Sequence, residues 1–184
     1  MNYALLHFLS FDTKSIDHLR KKYDPTADII KPHITILFPV PSTVGERLLV
    51  KHIESVLKQW TPFSIRIRGF HKSWDHWLFL VVEEGNAEIV KLYKKIYTGI
   101  LTPFRRDDIR FIPHIGLGLF VRNAAVYEFN DPKQLEFDYR KYKRALEEAK
   151  SLDLDFKCLV DKLHLVKLTD DFSNIEKSKE FLFG

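Results

Sequence analysis

The sequence predicts an α+β fold made of two related halves, with mostly antiparallel sheets. Three observations predict it. A short peptide occurs twice, as KPHITILFPV at residues 31–40 and IPHIGLGLFV at residues 112–121, with Pro, His, Ile and Val at matching places 81 residues apart. The strand-like and helix-like segments run βαβα and then ββαβαβ, which is not the strict alternation of a doubly wound sheet. No linker rich in Gly or Ser divides the chain, so the halves read as lobes of one domain over residues 1–184.

The elements follow from periodicity and punctuation. Tyr3 to Phe11 is apolar and strand-like. Asp12 or Thr13 caps a short helix with Ile16, Leu19 and Tyr23 at helical spacing, and Pro25 ends it. The first His strand covers residues 32–38 and stops at Pro39-Val40-Pro41. Ser42 or Thr43 caps a second helix, whose Leu49, Ile53, Val56 and Trp60 form one apolar stripe before Pro62 breaks it. Phe63, Ile65 and Ile67 then alternate with Ser64, Arg66 and Arg68, the period-2 mark of a half-buried strand. Trp77 to Val82 is apolar on both faces, which predicts a central strand. A third helix runs from Ala87 to Ile100, with Ile89, Leu92, Tyr93 and Ile96 inward. The second His strand covers Phe111 to Val121. A loop with Asn123, Asn130, Asp131 and Pro132 leads to a helix over Lys133 to Lys150. The chain closes with a long strand from Phe156 to Leu168, a polar loop and a short apolar end at Phe181-Leu182-Phe183.

Composition narrows the class. The 184 residues, 45% of them hydrophobic, suffice for a well-packed core. Fifteen Phe, seven Tyr and three Trp supply that core and leave aromatic side chains to meet a ligand. No apolar run reaches the roughly 20 residues needed to cross a bilayer, and the N-terminus lacks a signal-peptide pattern, so no membrane partner is expected. Cys158, the single cysteine, lies in an apolar stretch and reads as a buried free thiol in a reducing compartment, the cytoplasm. The net charge of +4 suits an anionic substrate without specifying one. Basic residues form only modest clusters: Arg105-Arg106, Arg66 with Arg68, and Arg140, Lys141, Lys143 and Arg144. The last is interleaved with Leu135, Tyr139, Tyr142 and Leu146, as on the solvated side of a helix. A monomer is expected.

The repeated peptide carries the chemistry. On a strand, residues i and i+2 share a face. That groups His33 with Thr35 and Leu37, and His114 with Gly116 and Gly118, opposite the apolar rows Ile34, Ile36, Phe38 and Ile115, Leu117, Leu119. Glycines beside His114 leave room for a bound group close to the backbone. A single strand His signals nothing beyond surface or core. Two at matching positions of a repeat make a natural acid–base pair, because imidazole titrates near neutral pH. Such a pair suits in-line displacement at phosphorus, with a Thr hydroxyl two residues along donating to a nonbridging oxygen. The scheme calls for no metal and no other cofactor.

The PHIT of residues 32–35 and the PHIG of residues 113–116 resemble the paired H-x-[TS] motifs of the two-histidine (2H) phosphoesterase superfamily. That superfamily includes 2′-5′ RNA ligase-like proteins and cyclic phosphodiesterases, and the resemblance spans most of the chain. It implies a bilobal duplicated fold with the motifs facing across a central cleft and helices outside. It implies metal-independent action on a 2′,3′-cyclic phosphate or 2′-5′ phosphodiester of an RNA or nucleotide partner. His33 and His114 would be the catalytic pair, and Thr35 a catalytic group and phosphate anchor, with Gly116 at the second substrate-binding position. Gly116 departs from the motif, which has Thr or Ser there. The second anchor is therefore missing, or is replaced by a backbone N–H, a water or another side chain. A hydrogen bond to a charged group contributes about 1.5–3 kcal/mol, so its loss slows the chemistry by about 10-fold to 150-fold. The same departure motivates an alternative, a module that binds RNA-end or nucleotide phosphates with little or no turnover.

Other residues carry weaker signals. His7 and His164 lie in strands and suit sheet packing. His71 and His76 flank Trp74 as in a hairpin. Arg105, Arg106 and Arg110 precede the second motif and could meet phosphate, but Asp107 and Asp108 lie among them to form local ion pairs. Phe70, Trp74, Trp77 and Tyr3 suit base stacking or, more simply, the core.

Overall fold

The computed structural model describes residues 1–122 and 136–184. In chain order these form β1 (Asn2–Phe8), α1 (Lys14–Tyr23), β2 (His33–Pro41), α2 (Glu46–Leu57), β3 (Phe63–Lys72), β4 (Trp77–Glu84), α3 (Asn86–Ile96), β5 (His114–Leu119), α4 (Tyr139–Ser151), β6 (Phe156–Val160), β7 (Lys162–Leu168) and β8 (Ile175–Leu182). The fold is α+β, as expected. One four-stranded sheet has the order β2-β1-β7-β8 and the other β5-β4-β3-β6. Every pairing is antiparallel. Each sheet carries a His strand at its edge, and β2 and β5 lie beside one another where the sheets meet.

The duplication reaches into the irregularities of the strands. In the first sheet Leu6 pairs with Thr35 and Leu5 with Leu37, so Ile36 is an extra residue. In the second Phe79 pairs with Gly116 and Leu78 with Gly118, so Leu117 is extra. Each copy therefore bulges one residue after the position of Thr35 or Gly116. A bulge turns the following side chains over. Leu37 and Gly118 thus leave the faces of His33 and His114, contrary to simple alternation. Leu37 is buried in the core. At Gly118 a Cβ would sit 2.5 Å from Tyr23 Cβ and 3.0 Å from its carbonyl oxygen, so this glycine serves close packing and leaves no space for a ligand.

The helices cross between the halves. α1, which precedes β2, packs on β5, and α3, which precedes β5, packs on β2. Tyr23 ends α1 against Gly118, and Tyr97, just past α3, accepts a 3.0 Å hydrogen bond from the Phe38 N–H of β2. One buried cluster draws on both sheets, joining Leu5, Ile34, Ile36 and Leu165 to Ile65, Leu80, Ile115 and Val160. Burying each such side chain contributes about 1.5–3 kcal/mol.

Several boundaries differ from the sequence expectation. The single long strand over Phe156 to Leu168 is two strands, β6 paired with β3 and β7 paired with β1, divided at Asp161. The apolar pattern runs on through the switch of sheets and so conceals it. The polar segment beyond is a turn and then β8, an edge strand whose charged residues meet water. Ser42 and Thr43 belong to a 3₁₀ turn, and Gly45 precedes α2 with no side-chain cap. Trp60 lies beyond α2, whose buried stripe is Leu49, Ile53 and Leu57. α3 stops at Ile96, and Gly99–Phe104 continues as 3₁₀ helix. α4 starts at Tyr139, where the Asp138 side chain accepts the Lys141 N–H at 2.9 Å. The predicted loop residues Asn123, Asn130, Asp131 and Pro132, with Lys133 and Leu135, lie outside the described residues. Among the described residues no helix is long and apolar enough to cross a membrane.

Candidate active site

Each copy of the motif holds its imidazole in the same way. Pro32 and Pro113 are buried and lead into the edge strands. His33 Nδ1 lies 2.8 Å from the Lys31 carbonyl, and His114 Nδ1 lies 2.6 Å from the Ile112 carbonyl. A carbonyl only accepts, so Nδ1 carries the proton in both neutral rings, and Nε2 presents a lone pair. Neither Nε2 makes a hydrogen bond among the described residues. The rings are half-buried. Burial pushes His33 down to about 4, with Arg20 opposing and Asp24 favouring its positive charge. Burial also pushes His114 down to about 4, and the charges of His33 and His71 oppose its protonation further. Both imidazoles are therefore neutral at pH 7.

Thr35 shares the face of His33 and is half-buried. Its hydroxyl makes no hydrogen bond among the described residues and is available to a ligand. Phe8, paired with His33, stands edge-on to it at 6.1 Å and to His164 at 5.1 Å. Around His114 the aromatic packing is closer. Phe79 stacks on its imidazole with centroids 3.4 Å apart and planes 17° from parallel. Phe79, Trp77 and Val81 are half-exposed on the face of β4 that carries His114 and Gly116 on β5, whereas Leu78, Leu80 and Val82 enter the core. β4 is central, as predicted, but its second apolar face is half-exposed beside His114 and Gly116 and is not part of the buried core.

The remaining candidates separate by face. His7 points into the core, with Nδ1 3.1 Å from the Lys162 carbonyl and Nε2 4.0 Å from Cys158 Sγ. The Cys158 thiol is buried and free, and burial pushes it up to about 11. His164 lies buried on the Thr35 side of the first sheet, its Nε2 2.9 Å from Glu180 Oε2. His71 is exposed and pairs across β3–β4 with Phe79. His76 sits in the following turn, stacked on Phe137 at 5.1 Å. Arg105 and Arg106 form bidentate pairs with Asp107 and Asp108, and Arg110 is exposed. Tyr3 is in the core with its hydroxyl bonded to Glu46 at 2.9 Å, Phe70 is half-buried against the core, and Trp74 is exposed. On α4, Arg140, Lys143 and Arg144 face water, as expected.

Sequence reasoning missed the buried ion pair whose charges act on His33. Arg20 Nε donates to Asp24 Oδ2 at 2.7 Å, and both side chains are almost wholly buried. Asp24 also accepts from the Thr26 N–H at 2.8 Å and hydroxyl at 2.7 Å. The i, i+4 spacing was the available signal, but that spacing also marks ordinary surface pairs.

An antiparallel α+β duplication with one Pro-His on the edge strand of each sheet defines the class of two-histidine phosphoesterases. The chain belongs to the 2′-5′ RNA ligase superfamily, which matches residues 10–172. A Bacillus licheniformis protein named "Putative phosphoesterase" is 27% identical over 118 residues, 62% of this chain and 69% of its own. A Halalkalibacterium halodurans protein of the same designation is 27% identical over 136 residues, 71% of this chain and 75% of its own. E. coli LigT, solved with NADP+, is 14% identical, and the match covers 99% of this chain and 97% of LigT with a TM-score of 0.62. The Thermus thermophilus protein TT0787 is 16% identical over 100% of this chain and 98% of its own, with a TM-score of 0.60. At such identities the likeness is one of fold.

Proposed function

We propose that this protein is a metal-independent phosphoesterase that opens a 2′,3′-cyclic phosphate or a 2′-5′ phosphodiester of RNA or nucleotide origin. The observation that carries the reading is the matched Nδ1 hydrogen bond, which leaves the same nitrogen, Nε2, of His33 and His114 with its lone pair unengaged among the described residues. One Nε2 takes a proton from the attacking water. The other, as imidazolium, gives its proton to the leaving ribose oxygen as the P–O bond breaks. Thr35 donates to a nonbridging oxygen, where negative charge grows in the transition state. Because both rings are neutral in the empty site, the proton on the acid is gained with the anionic substrate, whose charge favours imidazolium. E. coli LigT has been solved with 3′-AMP and with phosphate, which supports a nucleotide phosphate as the ligand class.

A panel of 2′,3′-cyclic nucleotides and 2′-5′ dinucleotides tests the reading, with product and binding both measured in excess EDTA. Turnover that survives EDTA is expected, and loss of turnover on chelation counts against the mechanism. The pH dependence is a further expectation. The productive form holds one proton on the pair, and both free-site affinities are pushed down to about 4. The kcat/KM bell, which reports the free enzyme, therefore peaks below pH 6.5 and falls as pH rises. The kcat profile lies to its alkaline side, because bound phosphate raises the imidazolium. A kcat/KM plateau running through pH 8 contradicts this arrangement.

Gly116 favours a second reading, recognition without turnover. A Cβ at this position would make ordinary 3.5 Å contacts with the Trp77 ring, so Gly116→Ser fits. If only the hydroxyl is absent, this substitution raises kcat about 10-fold. Tight binding with no product in either protein supports the binding module instead.

A further inference from the structure

The two halves differ in what lies beyond their inner strands. The registers make His164 and His71 equivalent, because His164 pairs with Leu6 opposite Thr35 and His71 pairs with Phe79 opposite Gly116. Beside β7 runs β8, paired along Lys162 to Leu168. Beside β3 runs β6, which pairs only with Phe63 to Ile67 and stops short of His71. Among the described residues the first half alone therefore has a strand beside this histidine, and His164 is buried where His71 is exposed. That strand turns one lysine onto the face of His33. Leu165 pairs with Lys179 and Val166 with Lys177, so Ser178 is an extra residue. The bulge sends the two lysines to opposite faces. Lys179 pairs with Glu54 of α2. Lys177 holds its Nζ 4.8 Å from the centre of the Phe8 ring, a cation–π contact. The same ring stands edge-on to His33 at 6.1 Å. Lys177 is exposed, and among the described residues no carboxylate pairs with it. Glu180, on the same face of β8, is engaged by His164 at 2.9 Å and by Lys162 at 3.5 Å.

We propose that Lys177 binds the phosphate that precedes the reacting one, so that the preferred substrate is an RNA strand ending in a 2′,3′-cyclic phosphate. This rests on the phosphoesterase reading. The ammonium and the imidazole contact one and the same Phe8 ring, so they lie no farther apart than those two contacts laid end to end. A cyclic phosphate held by His33 and Thr35 on the edge strand β2 leaves the rest of its strand to cross Phe8 toward β8. A neighbouring phosphodiester then meets the ammonium, and pairing with it releases a counterion. A mononucleotide has no second anion to offer. Lys177 thus adds affinity for the length of the substrate, and the chemistry stays with His33, His114 and Thr35.

The test compares adenosine 2′,3′-cyclic phosphate with hexaadenylate ending in a 2′,3′-cyclic phosphate. The parent protein should have the lower KM for the oligonucleotide. Lys177→Ala should raise that KM by about 2-fold to 12-fold, the contribution of one hydrogen bond, while the mononucleotide KM holds. Lys177→Glu should raise it further, and Lys177→Arg should keep the preference. The fall of log kcat/KM with log salt for the oligonucleotide should become shallower by about 0.7 in Lys177→Ala, the share of one phosphate contact on a single strand. The mononucleotide reports any loss of fold in each variant. Equal losses on both substrates, or none on either, overturn the proposal while leaving the phosphoesterase reading intact. If neither substrate is turned over, that reading fails, and binding decides the role of Lys177. Tighter binding of hexaadenylate 3′-phosphate than of 3′-AMP, weakened in Lys177→Ala, would uphold it, and equal binding would refute it.

Discussion

His33→Ala and His114→Ala will each lower kcat by about 10²-fold to 10⁴-fold, the contribution of a positioned general acid or base. That corresponds to about 2.7–5.4 kcal/mol of transition-state stabilisation. The losses should be similar, because each ring is fixed by the same bond from Nδ1 to a carbonyl two residues earlier. KM should change less than kcat, since Thr35 is left in place. Both rings are only half-buried, so thermal midpoints should remain near that of the parent. His18, whose side chain on α1 is 56% exposed, is the control, and His18→Ala should be silent in turnover. Steady-state kinetics on a cyclic nucleotide measures all three. Full activity in either motif variant would end the paired-histidine mechanism.

Asp24→Ala will lower the unfolding free energy by about 3–5 kcal/mol, the cost of leaving a buried ion without its partner. The side chains of Arg20 and Asp24 are 2% and 3% exposed. Among the described residues Arg20 Nη1 is already buried without a hydrogen bond, so they offer little else to the stranded guanidinium. The loss would also free the Thr26 N–H and hydroxyl that Asp24 accepts. Arg20→Met/Asp24→Leu should recover much of the stability, because apolar groups of similar volume often replace a buried pair at little cost. Urea denaturation at pH 7 measures both. Asp24 also holds Thr26 in the segment that leads to His33, so Asp24→Ala should also reduce turnover. A midpoint unchanged in Asp24→Ala would show that water reaches Arg20.

Much of this was legible in the chain because it rests on local patterns. The repeated Pro-His-Ile marks two equivalent strands, and the alternation in β3 and the Leu49 and Ile53 part of the α2 stripe depend only on which residues avoid water. The break at Asp161 was not legible, since β6 and β7 are equally apolar on either side of it and only their partners differ. The outer face of β4 had the same ambiguity. Trp77, Phe79 and Val81 read as core by composition, yet they remain half-exposed beside His114 and Gly116. The facing of Leu37 and Gly118 also escaped simple alternation, because one bulged residue reverses everything after it.

The amino-acid order alone determined that two histidines sit at equivalent places of a duplicated unit, that Thr35 has no hydroxyl counterpart at Gly116, and that the elements build an α+β fold. Tertiary structure decided which faces meet. It set β2 beside β5, crossed α1 and α3 onto the opposite strands, buried Arg20 with Asp24, and laid Trp77 against Gly116. Those outcomes depend on contacts between residues far apart in the chain, where burial and shape act and sequence spacing carries no signal.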